Sequence, residues 1–430
     1  MLLQTYWQMI RSFGRDARLL LLGVAVVGFA LDGTIAVLLN LYLLRLGYGP
    51  EFVGVVNSGG LLVFALCSLP AGMVGSRWGS RRVMMTGYGI GVVGGVVLSL
   101  AELLPATVQP AVLVGSYMVI MLGMSLVFVN MGPYLMAITT PQQRSHAFAV
   151  QSALLSLAAF GGSLLAGFLP GWLAVGLGVS LDEPVAYRYP LLGAALLLGV
   201  GLVLLGQTER LTRQQRKLAG EVLPPGVVQT AVSPLTQPLL IILAATALIR
   251  FLQVAGVGTM FTFFNVYYDK GLNIPTVTIG IITALGRLLA VPAALSTSLL
   301  AGRWGNGRLI LFASLLTSAF MLPLALVPNW LVGGLGYVGA MAFTSMRFPA
   351  FVVYSLELVP ESRRATLNGV NEMAAGLSFS LMALGGGYLI ASFGYRELFL
   401  LGSAITAVGT LIFYLFHTRQ SAIALQPAGD

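Results

Sequence analysis

Charge is what this sequence has least of. Asp, Glu, Lys and Arg supply 9% of its 430 residues, where a soluble domain carries about 25%. Hydrophobic residues make up 57%, and the mean hydropathy is +0.90. Such a chain cannot cover a water-facing surface, which excludes the soluble functions and leaves an all-α integral membrane protein in a lipid bilayer. Cysteine is nearly missing too: Cys67 stands alone, so no intrachain disulfide can form. The two histidines, His146 and His417, have no metal-ligand spacing around them. No phosphate-cradling Gly-Lys loop is present. An enzyme is therefore not expected, nor a metal or any other cofactor. The N-terminus lacks a short apolar core followed by a small-residue cleavage site, so the first helix is expected to remain as an anchor. Ahead of it, Leu2, Leu3, Tyr6, Trp7 and Ile10 precede Arg11, Arg15 and Arg18, as an interfacial segment or a frayed basic tail.

What is abundant is long apolar runs. A helix needs about 20 such residues to cross about 30 Å at 1.5 Å per residue. Twelve runs qualify, near 19–44, 52–74, 83–104, 111–138, 147–175 and 189–206, then 238–266, 275–300, 308–328, 331–358, 365–392 and 396–416. The one long polar stretch, 207–237, carries Glu209, Arg210, Arg213, Arg216, Lys217 and the pair Pro224 and Pro225. It reads as a linker between bundles 1–206 and 238–430. Basic residues stay on the cytoplasmic side. With both termini inside the cell (inner or plasma) membrane, sixteen of the 23 Lys and Arg fall on that side, and only Arg45, Arg188, Lys270 and Arg396 face outward. The net charge of +9 is thus an orientation signal with affinity for anionic headgroups, and no nucleic-acid partner is expected.

The two halves repeat one another. Asn40, Tyr42, Pro50 and Gly54 recur as Asn265, Tyr267, Pro275 and Gly280. "SRWGSRR" from Ser76 is mirrored by "GRWGNGR" from Gly302, an offset of 226, and "TTPQQRSHAF" by "LVPESRRATL". In these features the chain resembles the major facilitator superfamily. That resemblance implies twelve helices in two six-helix bundles and one solute site at mid-depth, served by alternating access. Of the family's basic signature after the second helix, Gly72, Arg77, Gly79 and Arg81 match and Arg82 follows, while Ser76 and Ser80 replace an Asp and an Arg. The mirrored turn supplies Arg303, Gly305 and Arg308. The resemblance implies a cytoplasmic gate there; ordinary positive-inside residues are the alternative. Gly161, Gly162 and Gly167 resemble an antiporter glycine motif, but Ser163 fills its proline slot, and the fourth helix lacks the arginine of many proton-coupled members. Close helix packing is the favoured reading of those glycines.

Polar groups inside the apolar runs are the candidate site. A charge at bilayer depth costs about 2.5–3.5 kcal/mol on insertion scales, so each needs a partner, a wet cavity or a job. Gly28, Asp32, Ala36 and Asn40 step by four along helix 1, a small-residue stripe with a carboxylate, expected as a cavity wall. Asp32 is the candidate for proton coupling, with a fixed pair to an arginine as its alternative. Arg250, Gln253 and Asn265 lie on helix 7, Arg287 on helix 8, Arg347 on helix 10 and Glu372 on helix 11. Three deep arginines against two deep acids favour an anionic or zwitterionic solute. Interhelix pairing is the alternative for each, and Arg347 could instead satisfy backbone groups freed by Pro349. Asn130 on helix 4 is a further candidate. The expectation is a secondary transporter of small organic solutes driven by a proton or other ion gradient, inclined to efflux of amphipathic compounds. Uptake or exchange of a small organic anion is the alternative, and a non-transporting receptor or scaffold the third reading.

Overall fold

Backbone groups in a bilayer find no water and must bond to one another, so apolar runs of this length fold as helices. The computed structural model describes residues 13–209, 237–360 and 364–425, and among these all regular structure is helical. The interfacial segment expected before Phe13, and nearly all of the expected linker, lie outside the described residues. The helices are α1 (Arg15–Arg45), α2 (Pro50–Trp78), α3 (Ser80–Ser99), α4 (Gln109–Ile138), α5 (Pro141–Leu177) and α6 (Val185–Gly206). Then come α7 (Gln237–Val266, continued by the π-helical turn Tyr267–Gly271), α8 (Thr276–Trp304), α9 (Asn306–Leu326), α10 (Trp330–Glu357), α11 (Arg364–Phe393) and α12 (Tyr395–Leu425). Eleven are long and apolar enough to cross a membrane. The twelfth, α10, has the length, with 28 residues. Four glycines in its first ten positions and Arg347 dilute its apolar character.

The repeat is visible in the turns. Gly79 joins α2 to α3 at φ 96° and Gly305 joins α8 to α9 at φ 80°, a left-handed backbone that a side chain would strain. These are the same positions of the two mirrored basic turns.

The chain divides into two compact units. Unit 1 is Met1–Leu46 with Gly59–Ser233, and unit 2 is Gly47–Ser58 with Pro234–Asp430. In unit 1, α3 and α4 pack backbone to backbone: a Cβ on Gly87 would lie 2.5 Å from the Gly123 carbonyl oxygen, and the reverse distance is also 2.5 Å. Unit 2 has comparable crossings. A Cβ on Gly256 of α7 would meet the Gly402 oxygen of α12 at 2.8 Å, and one on Gly54 the Ala383 oxygen of α11 at 2.4 Å. The hydroxyls of Ser58 and Ser380 bond at 2.9 Å. With lipid as apolar as the side chains, close backbone approach of this kind drives helix association.

Helix α1 corrects the sequence reading. Its middle, Gly28–Ile35, is π-helical, with i→i+5 bonding that widens the turn. Thr34 Oγ1 donates back to the Phe29 carbonyl at 3.0 Å. The expected i+4 path through Gly28, Asp32, Ala36 and Asn40 is therefore not a straight stripe. Gly28 is no cavity wall either: a Cβ there would lie 2.5 Å from the Leu155 oxygen of α5. Gly33 is pressed against Gly162 in the same way, at 2.7 Å from its Cα. The glycines of α1 and α5 make one tight crossing, and Asp32 sits on the π segment within it.

Candidate functional site

In unit 2 the structure brings together the polar residues of α7, α10 and α11. Arg250 and Gln253 are one turn apart on α7, and both are buried, at 6% and 0% exposure. Arg250 Nη2 lies 3.7 Å from Glu372 Oε1 on α11. Its guanidinium carbon sits 4.9 Å from the centre of the Phe348 ring and 5.6 Å from that of Phe351. The charge of Arg250 is thus met twice, by a carboxylate and by the faces of two aromatic rings.

Arg347 of α10 is treated differently. Among the described residues it is the largest fully buried side chain, with 0% exposure. Its Nη1 donates to the Gln253 carbonyl oxygen at 2.6 Å, so it reaches across to α7 rather than serving the backbone around Pro349, as one sequence reading had it. Its Nε and Nη2 are buried with no hydrogen-bond partner among the described residues. The side-chain amide of Gln253 is likewise buried with both Nε2 and Oε1 unmet, and so is Asn371 Oδ1. Arg287 of α8 lies 5.5 Å over the ring of Phe261, which packs edge-on to Phe379 at 6.2 Å. Asn265 is also buried in this unit, at 5%.

In unit 1, Asp32 is half-buried and close enough to Tyr117 of α4 to act on it electrostatically. Asn40 is buried at 2%. Asn130 is committed elsewhere: its Nδ2 donates to the Ala71 carbonyl of α2 at 3.1 Å and to Leu126 O at 2.9 Å. Its side chain fills the space that a Cβ on Gly75 would need. That arrangement ties α2 to α4 and leaves Asn130 little to offer a solute.

The basic turns separate as well. Arg81 donates through Nε to Thr208 Oγ1 at 2.9 Å and through Nη2 to the Gly206 carbonyl at 2.8 Å, at the C-terminal end of α6. A cation there meets the negative end of the helix dipole. A Cβ on Gly72 would meet Val129 at an ordinary contact distance of 3.4 Å. Arg77, Arg82, Arg303 and Arg308 are exposed.

One charged cluster had no sequence signal. Glu102 follows α3 and pairs with Arg188 of α6, with side-chain exposures of 8% and 14%. Burial raises the Glu102 carboxyl above the usual carboxylate range, against the opposing pull of Arg188. Beside it, Arg45 Nε lies 3.7 Å from Asp182 Oδ1 and donates to the Leu181 carbonyl at 3.2 Å. Glu102 and Arg188 stand 86 positions apart, and each alone reads as an ordinary helix-end residue.

Comparison with known proteins places this arrangement. A family model described as Major Facilitator Superfamily matches residues 20–346 and 335–429. Uncharacterized MFS-type transporters of Burkholderia mallei strain SAVP1 and Burkholderia pseudomallei strain K96243 are 26% identical over 171 residues. Those matches span 40% of this chain and 41% of the relatives' length. Among solved structures, a D-xylose–proton symporter superposes with a TM-score of 0.72 at 15% identity, covering 93% of this chain and 97% of its own. The nucleoside transporter NupG gives 0.70 at 14%, covering 94% and 99%. The inward-open xylose transporter XylE of E. coli gives 0.71 at 13%, covering 93% and 95%. At these identities the likeness is one of fold.

Proposed function

This chain belongs to the major facilitator superfamily, and from that premise we propose that it is a secondary transporter moving a small organic anion by alternating access, coupled to a proton gradient. It resides in the cell membrane with both termini cytoplasmic, as the distribution of Lys and Arg supports. The observation that carries the anion reading is the buried polar set of unit 2, where Arg250 lies against the Phe348 and Phe351 rings with Glu372 beside it, and Arg347 is held by the Gln253 carbonyl with Nε and Nη2 unmet. A guanidinium at that depth needs a partner, a wet cavity or a job, and a solute carboxylate would give Arg347 the partner its Nε and Nη2 lack. The solutes named for the structural neighbours come with the fold alone and are not carried over.

Asp32 is the coupling group of this proposal. A carboxylate inside a bilayer-spanning helix is costly to keep there and, if it exchanges a proton with each side in turn, couples flux to the gradient. The π segment that carries it supports the assignment, since π-bulges concentrate at functional sites. The basic turns at Gly79 and Gly305 serve as the cytoplasmic gate, with Arg81 as the residue that engages the end of α6.

The rings of Phe261, Phe348, Phe351 and Phe379 around these arginines favour a second reading, efflux of amphipathic compounds. Flux into proteoliposomes under an imposed pH gradient separates the two. Accumulation of organic acids, abolished in Asp32→Asn, supports the anion transporter. Movement of amphipathic cations but of no organic acid would replace it with the exporter.

A further inference from the structure

The three deep arginines are held in different ways, and the difference names a ligand. Arg250 has Glu372 beside it, and Arg287 lies over Phe261. Arg347 spends one nitrogen, Nη1, on the Gln253 carbonyl, and that bond fixes the plane of the guanidinium. The nitrogens left over are Nε and Nη2. These two lie on the same edge of the guanidinium, with their N–H bonds nearly parallel, and that edge matches the two oxygens of a carboxylate. Both are fully buried, where an unmet donor costs more than it does in water.

The residue that orients this fork also offers a second contact. Both ends of the Gln253 side-chain amide are buried and unmet, and so is the oxygen of Asn371, next to Glu372 on α11. A carboxylate alone satisfies the fork but leaves the amide oxygen of Gln253 without a donor. A hydroxyl on the adjacent carbon supplies one and can accept from Nε2. An ammonium in that place would stand near both Arg347 and Arg250, whose charges already act on one another. A phosphate monoester dianion can accept from Nε2 but brings no hydrogen to the amide oxygen of Gln253, which stays unmet.

We infer that the Nε–Nη2 edge of Arg347, together with the unmet side-chain amide of Gln253, the residue whose carbonyl holds Nη1, is the recognition subsite for a 2-hydroxy carboxylate. This inference rests on the anion reading above and narrows it to one chemical class. In the conformation described, the subsite is sealed, since neither residue has exposed surface. Solute therefore enters only when α7 and α10 part, and association runs below the diffusion limit.

The test is binding by the purified, full-length protein in detergent, followed by thermal shift and isothermal titration. The probes are glycolate, lactate and mandelate against acetate, propionate and phenylacetate, with mandelamide and inorganic phosphate as further arms. Each hydroxy acid is expected to bind about 10-fold or more tightly than its deoxy partner, from one hydrogen bond to a buried group that otherwise stays unmet. Arg347→Lys keeps the charge and loses the fork, and should weaken every carboxylate by about 10- to 100-fold. Gln253→Met should weaken the hydroxy acids more than the deoxy acids and erase the preference between them, which keeps the test decisive if the Arg347 variant does not fold. Unchanged affinity in Arg347→Lys, equal affinity for hydroxy and deoxy acids in the unaltered protein, or a preference for phosphate would overturn the subsite while leaving an anion transporter standing. Stabilisation by mandelamide or amphipathic cations with none by any carboxylate would overturn the anion reading itself.

Discussion

The crossing of α1 and α5 can be tested with two adjacent glycines that sit in opposite circumstances. A Cβ on Gly162 would lie 2.3 Å from the Phe29 carbonyl oxygen and 3.0 Å from Gly33 Cα, whereas ordinary contact begins at 3.4 Å. Both obstacles are backbone, so no side chain can swing aside, and α1 and α5 must separate by about 1 Å to admit one methyl. Overpacking of that size costs about 1–3 kcal/mol. For a cooperative unit of about 200 residues each kcal/mol moves the midpoint by about 2–4 °C, so Gly162→Ala should lower it by about 2–12 °C. A Cβ on the neighbouring Gly161 would meet nothing closer than the Phe29 ring at 3.9 Å. Gly161→Ala should therefore be neutral or slightly stabilising, because alanine also restricts the unfolded chain. Cys67 is the single thiol and is partly buried, so a thiol-reactive dye reports unfolding in detergent without labelling sites. The separation also shifts the π segment bearing Asp32, and the response to a pH gradient should fall in Gly162→Ala but not in Gly161→Ala. Equal melting of the two variants would refute the crossing as described.

Asp32→Asn should abolish gradient-driven flux in proteoliposomes while solute binding in detergent persists; undiminished gradient-driven flux would remove Asp32 from the coupling. Arg81→Ala should lower the melting midpoint through loss of its bonds to Thr208 and the Gly206 carbonyl, worth about 1.5–3 kcal/mol for a charged donor, while Arg82→Ala, exposed, should leave it within about 0.5 kcal/mol of the original; equal shifts would contradict the geometry. For Glu102 the sign follows from its raised pKa. The folded state binds the proton more readily than the unfolded chain, so its unfavourable contribution is present above the raised value and disappears as pH falls toward the ordinary 4.5. The midpoint of the unaltered protein should therefore gain on that of Glu102→Gln as pH is lowered from 7 toward 4.5, and a parallel pair of curves would show that the carboxyl does not titrate as described.

The transmembrane helices were legible because length and hydropathy leave a bilayer-spanning segment one conformation to adopt. The paired turns were legible because an offset of 226 places Gly79 on Gly305, and both have the positive φ that only glycine takes without strain. Other features were not. The π segment of α1 has apolar neighbours on every side, so nothing in its periodicity marks the extra residue; the close backbone of Leu155 and Gly162 on α5 is the tertiary feature that accompanies it. Asn130 has the composition of a cavity residue, and only the facing Gly75 shows that its amide is used to join α2 and α4. The deep arginines were found by their cost in a membrane, but their unequal standing depends on partners far away in sequence. Arg347 meets a carbonyl 94 residues distant, and Arg250 a carboxylate 122 positions on, by their numbering.

The two mirrored turns share the positive φ of Gly79 and Gly305 and two arginine positions, Arg77 with Arg303 and Arg82 with Arg308, and differ at a third. In the first half, Arg81 crosses to the end of α6, where Thr208 Oγ1 also accepts a hydrogen bond from Tyr134 of α4 at 2.9 Å. An offset of 226 from Arg81 falls on Gly307, which carries no side chain to cross with. The gap is filled from the other side. The ring of His417 on α12 occupies the space that a Cβ on Gly307 would need, its Cε1 only 2.3 Å away. Its Nδ1 lies 3.1 Å from the hydroxyl of Tyr354 on α10. In each half a turn between two helices, a tyrosine and the last helix meet at one point, held by a guanidinium in the first and by an imidazole in the second. Arg303 and Arg308 still stand at the second turn, so the two halves differ at the one position filled by Arg81 in the first and Gly307 in the second. What is common to both is a tyrosine hydroxyl at that corner, bonded to Thr208 in the first half and to His417 in the second.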